Sequence, residues 1–244
     1  MQSKINQWVV AMIIGAALGI AWASFSGFRE HLPELMRGVL VTLQVTAGGM
    51  VVAVVAALLS AMGKMYGPAP LRWLCVAYIE VFRGTSALVQ LFWLFFVLPN
   101  FGITLPSLTV GILALGLNVG AYGAEVIRGA VNGVTRGQWE ACTALNFSRV
   151  QALRHIILPQ AFVAMIPPWG NLFIELLKAT SLVSLITLAD LTFKAQQINQ
   201  NTLRTVEVFS IVLVLYLAIS IVITVTMRGL EQRAAKGLRR GRSA

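Results

Sequence analysis

Long apolar runs, separated by short polar segments, dominate this chain. Six of the runs approach the roughly 20 residues that a tilted helix needs to cross the hydrocarbon core of a bilayer. They are Trp8–Phe25, Gly38–Ala61, Leu74–Leu98, Leu108–Ile127, Trp169–Leu188 and Val206–Met227. Only 11% of the residues are charged, whereas a soluble domain carries about a quarter. Because helices satisfy their own backbone hydrogen bonds without water, the runs predict an all-α integral membrane protein with about six transmembrane helices.

The positions of the basic residues predict how these helices are oriented. If the amino terminus is cytoplasmic, thirteen loop and terminal Lys and Arg residues lie inside, and only Arg29, Arg37, Lys194 and Arg204 lie outside. Short cytoplasmic loops are enriched in these residues, so both termini of this multi-pass protein are expected inside. The net charge of +10 follows from this bias and does not indicate a nucleic-acid partner. The basic tail Arg239–Arg242 either contacts anionic membrane lipid or only fixes the topology.

The first apolar run, the loops and the two cysteines allow further predictions. Trp8–Phe25 could be a signal peptide, but the lack of a clear cleavage signal followed by a polar domain favours a retained helix. Asn100–Ser107 is an uncharged loop, and Asp190–Thr205 is predicted to be the largest outer loop. Cys75 and Cys142 fall on the side expected to be cytoplasmic, which predicts free thiols.

Motifs for catalysis, metal binding or nucleotide binding are missing from the sequence. Gly63-Lys64 is followed by Met65 and lacks the glycine-rich lead of a phosphate-binding loop. No His-Glu-x-x-His zinc motif and no Gly-x-Ser-x-Gly elbow occur. We therefore expect a protein that is not an enzyme, with no catalytic residues, no metal site and no cofactor bound by this chain.

One polar, helix-forming segment, Arg136–Pro159, lies between apolar runs. Thr135–Gln138 has the capping-box pattern and predicts a short helix that runs to about Leu145. Asn146 then stands where the chain must reverse, and Asn tolerates the left-handed conformation that ends helices. Ser148–Gln151 repeats the capping-box pattern, and the final proline is expected to end this second helix. The segment predicts a helix–turn–helix that either binds a partner in water or only braces the bundle.

Three predicted membrane helices carry an acid followed three residues later by a base. The pairs are Glu80/Arg83, Glu125/Arg128 and Glu175/Lys178. Residues at this spacing share a helix face and can form ion pairs. Charges in hydrocarbon are costly, so these pairs are expected to face the bundle interior or an aqueous cavity. Glu125/Arg128 is interpreted as internal neutralisation, whereas the other two could equally be structural, form a gate or bind a zwitterionic solute.

Uncharged polar residues of the same helices are further candidates for a solute pathway. They are Asn118, Tyr122, Thr180 and Ser181. Their side chains can line a cavity or hydrogen-bond to a neighbouring helix. Pro167-Pro168 and Gly170 predict a break in the helix beside Trp169, and hence a hinge or a discontinuous gating helix.

The polar segment resembles the EAA motif found in permease subunits of bacterial ABC importers. That motif reads Glu-Ala-Ala, three residues, Gly, nine residues and Ile-x-Leu-Pro. Here Glu140, Ala141, Cys142 and Asn146 are followed at the same spacing by Ile156-Ile157-Leu158-Pro159. Cys142 replaces an Ala and stays small, and Asn146 replaces the Gly while still permitting the reversal.

The resemblance extends over about Gly38 to Arg233. Four further segments are similar to core helices of the polar amino-acid branch, the histidine, glutamine and arginine type: Tyr78–Leu91, Leu115–Gly129, Pro167–Asn171 and Leu177–Leu185. Within this branch, Thr143–Phe147 and Glu175–Phe193 resemble permeases for ectoine and hydroxyectoine uptake.

The resemblance implies the fold and its division along the chain. It implies the five-helix core of a type I importer permease over residues 32–233, an additional first helix with its outer connection over residues 1–31, and a basic cytoplasmic tail over residues 234–244. It also implies that the protein lies in the bacterial inner membrane. The residues of the coupling loop would be Glu140, Ala141, Cys142, Asn146, Ile156, Leu158 and Pro159.

The resemblance also implies function and partners. Such permeases pair as homodimers or heterodimers. Two ATPase subunits, which use ATP and Mg, dock on the coupling loops of the two permease subunits. A solute-binding protein delivers the cargo. The implied function is import of a polar amino acid or of ectoine or hydroxyectoine. A stand-alone channel or secondary transporter is the alternative, and a membrane scaffold or sensor is a third possibility. Reconstitution with and without an ATPase separates the three.

Overall fold

The computed structural model describes Gly15 and residues 28–240, so the predicted span Trp8–Phe25 lies outside the described residues. Within the described ranges the protein is all-helical, without β-strands. The α-helices are α1 (Leu32–Tyr66), α2 (Ala69–Gly84), α3 (Ala87–Phe92), α4 (Ser107–Asn132), α5 (Arg136–Ala144), α6 (Arg149–Ala152), α7 (Leu158–Ala179), α8 (Leu191–Thr202) and α9 (Thr205–Arg240). Phe28–His31, Leu98–Phe101 and Thr180–Ile186 form 3-10 helices, and Trp93–Val97 and Leu153–Ile157 form wider π-type turns.

Four stretches in the described part of the chain are helical and apolar enough to cross a membrane. They are Leu32–Tyr66, Ser107–Asn132, Arg149–Ile186 and Thr205–Lys236. A fifth crossing is formed if the bent pair Ala69–Gly84 and Ala87–Phe101 is one broken span. This number agrees with the predicted five-helix core, and the sixth predicted helix is the run that lies outside the described residues.

The predicted span Leu74–Leu98 is not one continuous helix, because the helix axis turns by 107° between α2 and α3. Thr85 and Ser86 are extended at the break, with ψ of 155° and 136°. Short hydroxyl side chains compete with the helix for backbone partners, and Thr85 Oγ1 bonds back to the carbonyl of Val81 at 2.7 Å. The Gln90 amide donates to the carbonyl of Phe82 at 2.9 Å and so replaces a donor that the broken helix lacks.

The break predicted at Pro167-Pro168 and Gly170 is wrong, because α7 continues through these residues. Trp169 is buried and lies where a side chain at Gly123 of α4 would stand. This packing holds the helix together although each proline removes one backbone hydrogen bond. Pro159 marks the start of a new helix, as predicted, because it lies in the first turn of α7, where its missing N–H has no cost. The second hairpin helix itself ends earlier, at Ala152.

Close helix packing through glycine positions α4 against α1. A Cβ at Gly116 would lie 2.7 Å from Val52 Cβ and 2.9 Å from the carbonyl oxygen of Gly49. A Cβ at Gly120 would lie 2.9 Å from Ala56 Cβ. Because lipid tails are as apolar as the helices, such close van der Waals packing drives their association in membranes. The contact makes α4 the central helix and determines which of its residues remain available for function.

The segment Asp190–Thr205, predicted as the largest outer loop, is mostly the helix α8. Asp190 caps this helix, with Oδ1 accepting from the amide of Phe193 at 2.9 Å. Leu191, Ala195 and Ile198 are buried against Leu35 of α1 and the first turns of α9. This segment is rich in Gln and Asn, and its three buried apolar residues are too few to predict a helix from hydropathy. The helix lies at the amino-terminal end of α1, whereas α5 lies near Met65, at the opposite end.

Candidate functional site

The reversal predicted at Asn146 is present, although the first predicted cap is not. The helix α5 starts at Arg136 with Thr135 at its N-cap position, as predicted, but the Thr135 side chain makes no capping hydrogen bond. At the end of α5, Asn146 has φ of 54°, in the left-handed region. The amides of Asn146 and Phe147 donate to the carbonyls of Thr143 and Cys142 at 3.0 and 2.9 Å. These two bonds form a Schellman motif, which explains how Asn takes the usual place of Gly.

The second predicted capping box, at the start of α6, is confirmed. The Ser148 amide donates to Gln151 Oε1 at 2.9 Å, and the Gln151 amide donates to Ser148 Oγ at 3.3 Å. The hairpin formed by α5 and α6 therefore has a defined turn that residues close in sequence hold in place. Such a turn presents the side chains around it in a reproducible geometry.

One side of this hairpin is firmly attached to the bundle. Ile157 is wholly buried with Val131 of α4 and Ala161 of α7, and Trp139 and Ile156 pack around them. The side-chain amide Nε2 of Gln160 in α7 donates to Gln138 Oε1 of α5 at 3.2 Å. The hairpin therefore packs directly against α4 and α7, the two central helices of the bundle.

The other side of the hairpin is open. Glu140 and Ala141 are exposed, whereas Cys142 is buried and packs as a small residue. Of the C-terminal part of the segment, Leu158 is exposed and Pro159 is half-buried. Around the turn, three apolar side chains have large exposed fractions: Leu145 at 68%, Phe147 at 39% and Val150 at 72%. We call Glu140, Ala141, Leu145, Phe147 and Val150 the hairpin surface.

A second group of polar side chains surrounds the break between α2 and α3. Asn118 of α4 donates to the carbonyl of Phe82 at 2.9 Å and to Gln90 Oε1 at 3.2 Å. The Tyr122 hydroxyl donates to the carbonyl of Arg83 at 3.3 Å. The Arg83 guanidinium lies over the Tyr122 ring, 5.4 Å from its centroid, a distance at which the two attract each other. The break thus joins two predicted pathway residues of α4 to a cation of α2.

Two of the three predicted ion pairs do not form. Within the described part of the chain, neither Glu80 and Arg83 nor Glu175 and Lys178 lie within ion-pair distance. All four residues are exposed. The shared helix face permits pairing but does not require it, and Arg83 contacts Tyr122 instead. These helices therefore present unneutralised charges on their surfaces.

The third predicted pair forms and includes a base that local spacing could not identify. Glu125 Oε2 accepts from Arg128 at 2.7 Å, and Glu125 Oε1 accepts from Lys64 of α1 at 2.6 Å. Lys64 lies 61 residues before its partner, so only the packing of α1 on α4 brings them together. This three-residue group joins the ends of α1 and α4 near α5.

The last two predicted pathway residues lie in the 3-10 helix after α7. Thr180 is wholly buried and donates to the carbonyl of Leu177 at 2.7 Å, so it lines no open surface in this conformation. Ser181 is half-buried and donates to the carbonyl of Lys178 at 2.9 Å. Asn171, which was not predicted, is exposed on α7 together with Glu175 and Lys178. The spacing of these three residues places them on one face of α7.

The described residues contain no group of three or more His, Cys, Asp or Glu side chains that could hold a metal ion. Three surfaces remain as candidates: the hairpin surface at one end of the bundle, the break beside Tyr122, and the polar face of α7. Their chemistry is that of hydrogen bonding and charge, with acids and bases both represented.

Comparison with known proteins reveals matches over most of the chain. Residues 49–236 match the family described as the inner membrane component of binding-protein-dependent transport systems. A probable amino-acid ABC transporter permease of Sinorhizobium fredii is 45% identical over 215 residues, covering 86% of this chain and 90% of the relative. The L-cystine transport system permease of Bacillus subtilis is 39% identical over 183 residues, covering 75% and 78%.

A solved structure has the same fold over the same region. The crystal structure of an amino acid ABC transporter with histidines superposes with a TM-score of 0.80 at 35% identity, covering 84% of this chain and 96% of that chain. The family match, the sequence identities and the fold agree with one another. The chain therefore belongs to the inner membrane components of binding-protein-dependent transport systems and is a non-catalytic permease subunit of an ABC transporter.

Proposed function

We propose that this permease carries a small polar or zwitterionic solute, in the first place an amino acid, into the cytoplasm, driven by a separate ATPase. The observation that supports coupling to the ATPase is the exposed hairpin surface. Its exposed Leu145 and Val150 stand beside Glu140 on a polar segment that is too short and too charged to lie in lipid. Exposed apolar groups with a polar rim are typical of protein interfaces. The occupant we propose is the ATPase, which binds ATP and Mg itself.

The contacts between the hairpin and the membrane helices suggest how a movement of the ATPase would reach the bundle. Ile157 and Trp139 join α5 and the π-type turn to α4 and α7. A displacement of the hairpin by a closing ATPase pair would therefore move α7 against α4. The bond between Gln160 and Gln138 keeps the hairpin and α7 together during such a movement. We infer that the end of the bundle that carries α5 is cytoplasmic, together with both termini.

The proposed solute pathway is bounded by exposed charges on membrane helices. Glu80 and Arg83 of α2 and Glu175 and Lys178 of α7 have no ionic partner within the described residues. A charge that faces hydrocarbon is costly, so such groups line water or meet a partner subunit. Asn118, Tyr122 and Ser181 add hydrogen-bonding groups, whereas buried Thr180 would act only by holding the 3-10 helix after α7 through its bond to the Leu177 carbonyl. Acids and bases together suit a solute that carries both a carboxylate and an ammonium group.

The same exposed charges support pairing with a second permease subunit. A monomer would leave Glu175, Lys178 and Asn171 of α7 facing lipid, whereas a second subunit across a shared pathway would cover them. A solute-binding protein would then dock at the opposite end of the bundle from α5, where α8 lies. In this proposal residues 32–233 are the permease core, residues 1–31 add a helix and residues 234–244 are a cytoplasmic tail.

The test is reconstitution in liposomes with an ATPase subunit and a solute-binding protein of the same transport system. We expect solute accumulation only when ATP, Mg and both partners are present. Transport without the ATPase would favour a stand-alone channel or secondary transporter, and a complete assembly without flux would favour a scaffold or sensor. The cargo is settled by offering polar amino acids, ectoine and hydroxyectoine in parallel. The names of the relatives support an amino acid, and preferential accumulation of ectoine would overturn that choice.

We expect Arg83→Gln to lower solute uptake about 10- to 100-fold, because a charged hydrogen bond is worth about 1.5–3 kcal/mol. The guanidinium, exposed beside Tyr122, is the proposed partner of the solute carboxylate. Arg83→Lys keeps the charge and should retain most of the uptake. Co-purification of the ATPase should be unchanged in both variants. Equal uptake by Arg83→Gln and the unmodified protein would remove Arg83 from the pathway.

A further inference from the structure

A buried polar cluster lies at the end of the bundle opposite α5. It contains the carboxylate of Asp190 and the hydroxyls of Thr42, Thr180, Thr192 and Tyr216. Asp190 is wholly buried, as are Thr42 and Thr180. The members come from α1, the 3-10 helix after α7, α8 and α9. The cluster therefore lies where four elements meet, and apart from Thr180 none of its members belongs to the proposed solute pathway.

The backbone around Asp190 is packed without free space. A Cβ at Gly38 of α1 would lie 2.9 Å from the Asp190 carbonyl oxygen and 2.8 Å from Leu191 Cα. The Leu191 amide donates to Thr42 Oγ1 at 3.1 Å. The start of α8 is thus held directly against α1, and Asp190 cannot turn its side chain towards water without separating the two helices.

The two oxygens of this carboxylate have different surroundings. Oδ1 accepts from the amide of Phe193 and caps α8. Oδ2 is buried and has no hydrogen-bond partner among the described residues. A buried acceptor without a partner is costly, and a buried unpaired charge is more costly still. A proton on Oδ2 would remove the charge and add a donor within a cluster of hydroxyl acceptors.

The other titratable and charged groups on these elements do not neutralise Asp190. Tyr216 of α9 faces the cluster, and its hydroxyl lies 3.1 Å from that of Thr192. On α8 the Lys194 ammonium bonds to Gln197 Oε1 at 3.0 Å. On α1 the Arg37 side chain is exposed. The 3-10 helix contributes only the Thr180 hydroxyl to the cluster.

Burial raises the pKa of Asp190 to about 6, against the opposing effect of hydrogen bonds from the backbone amide of Phe193 and from Thr192. An Asp in an unfolded chain has a pKa of about 3.9. The folded protein therefore binds this proton more tightly than the unfolded chain. The stabilisation by the proton is complete at acid pH and is lost as the pH rises towards and through about 6. Above about pH 7 it no longer changes.

We propose that Asp190 is a proton-binding site whose occupancy holds α8 against α1 and α9. When the proton is bound, the cluster is neutral and the junction of the four elements is at its most stable. When the proton leaves, a buried charge remains beside Tyr216, and α8 separates more readily from Thr42. The ligand is the proton of the medium on this side of the membrane, which makes the junction sensitive to the pH there.

The test compares thermal unfolding of the full-length permease in detergent at pH 5 and pH 7.5. We expect the unmodified protein to lose about 4 °C in Tm over this interval, since about 1 kcal/mol corresponds to 2–4 °C at this chain length. Asp190→Asn keeps the capping oxygen, adds a donor and carries no charge. It should abolish this loss. Glu34→Gln, at an exposed carboxyl of α1, is the matched control and should behave like the unmodified protein.

A second measurement needs no variant. Infrared difference spectra of the unmodified protein should contain the C=O band of a buried protonated carboxyl that disappears as the pH rises through about 6. Amide hydrogen exchange, corrected for its intrinsic pH dependence, should be slower in α8 at pH 5 than at pH 7.5. The proposal is wrong if Asp190→Asn retains the full pH dependence of Tm, or if the infrared band is missing.

Discussion

The Glu140→Lys permease is expected to insert and fold normally but to support no measurable solute uptake. Glu140 is exposed on α5 and makes no ion pair within the described part of the chain. Reversing the charge at this position therefore breaks no ion pair that stabilises the fold. At an interface, removing one partner of a buried charge pair costs about 2–5 kcal/mol, and reversal adds repulsion. The proposed complex with the ATPase would weaken by a factor of at least about 30.

Uptake in cells and co-purification of the ATPase measure this effect. The matched control is Arg72→Glu, a charge reversal at an exposed residue at the start of α2, outside the hairpin surface. It should leave both measurements unchanged. Glu140→Gln removes the charge without reversing it and should give an intermediate loss. Normal uptake by Glu140→Lys would mean that the hairpin braces the bundle and does not bind the ATPase.

The second large effect is expected inside the bundle, at Gly116 of α4. A leucine there would place its Cβ 2.7 Å from Val52 Cβ and 2.9 Å from the Gly49 carbonyl oxygen. Neither group can move without moving α1, because the Gly49 carbonyl is part of the backbone of α1 and Val52 Cβ is bonded directly to it. Overpacking of a well-packed core costs about 1–3 kcal/mol and occasionally more, and contact with backbone on both sides places this site at the upper end. We expect Gly116→Leu to yield little monodisperse protein in detergent, and what remains should unfold at a clearly lower temperature.

Gly129→Leu is the matched control, because it lies on the same helix and has no atom within 4 Å of an added Cβ. It makes the same change in helix propensity and apolar volume without the contact. Its yield and Tm should stay close to those of the unmodified protein. If both variants behave alike, the close packing of α1 on α4 is not what holds the core together.

Several local features were predictable because the signals lie within a few residues of one another. Length and hydropathy predicted the helices that became α1, α4 and α9. The reversal at Asn146 and the capping box at Ser148 depend on backbone groups within one turn of the helix, so their sequence patterns were sufficient. The same locality explains why the family could be identified from the segment Glu140–Pro159.

Other features could not be predicted because their causes lie far apart in the chain. Lys64 pairs with Glu125 only because glycines let α1 and α4 approach closely. The predicted pair Glu80 and Arg83 shares a helix face, yet Tyr122 from another helix competes for the cation. The two prolines of α7 carry a genuine local preference for a break, but buried Trp169 holds the helix together.

By itself the sequence determined that the protein is an all-helical membrane protein with one polar hairpin, because periodicity, caps and spacing are local properties of the chain. The resemblance of that hairpin to the EAA motif then implied a permease. The tertiary structure alone decided which surfaces can act. It exposed Leu145 and Val150, left Arg83 beside Tyr122, and closed the cluster around Asp190. These outcomes depend on which helix lies against which, and the free energy of each contact is shared between residues that are far apart in sequence.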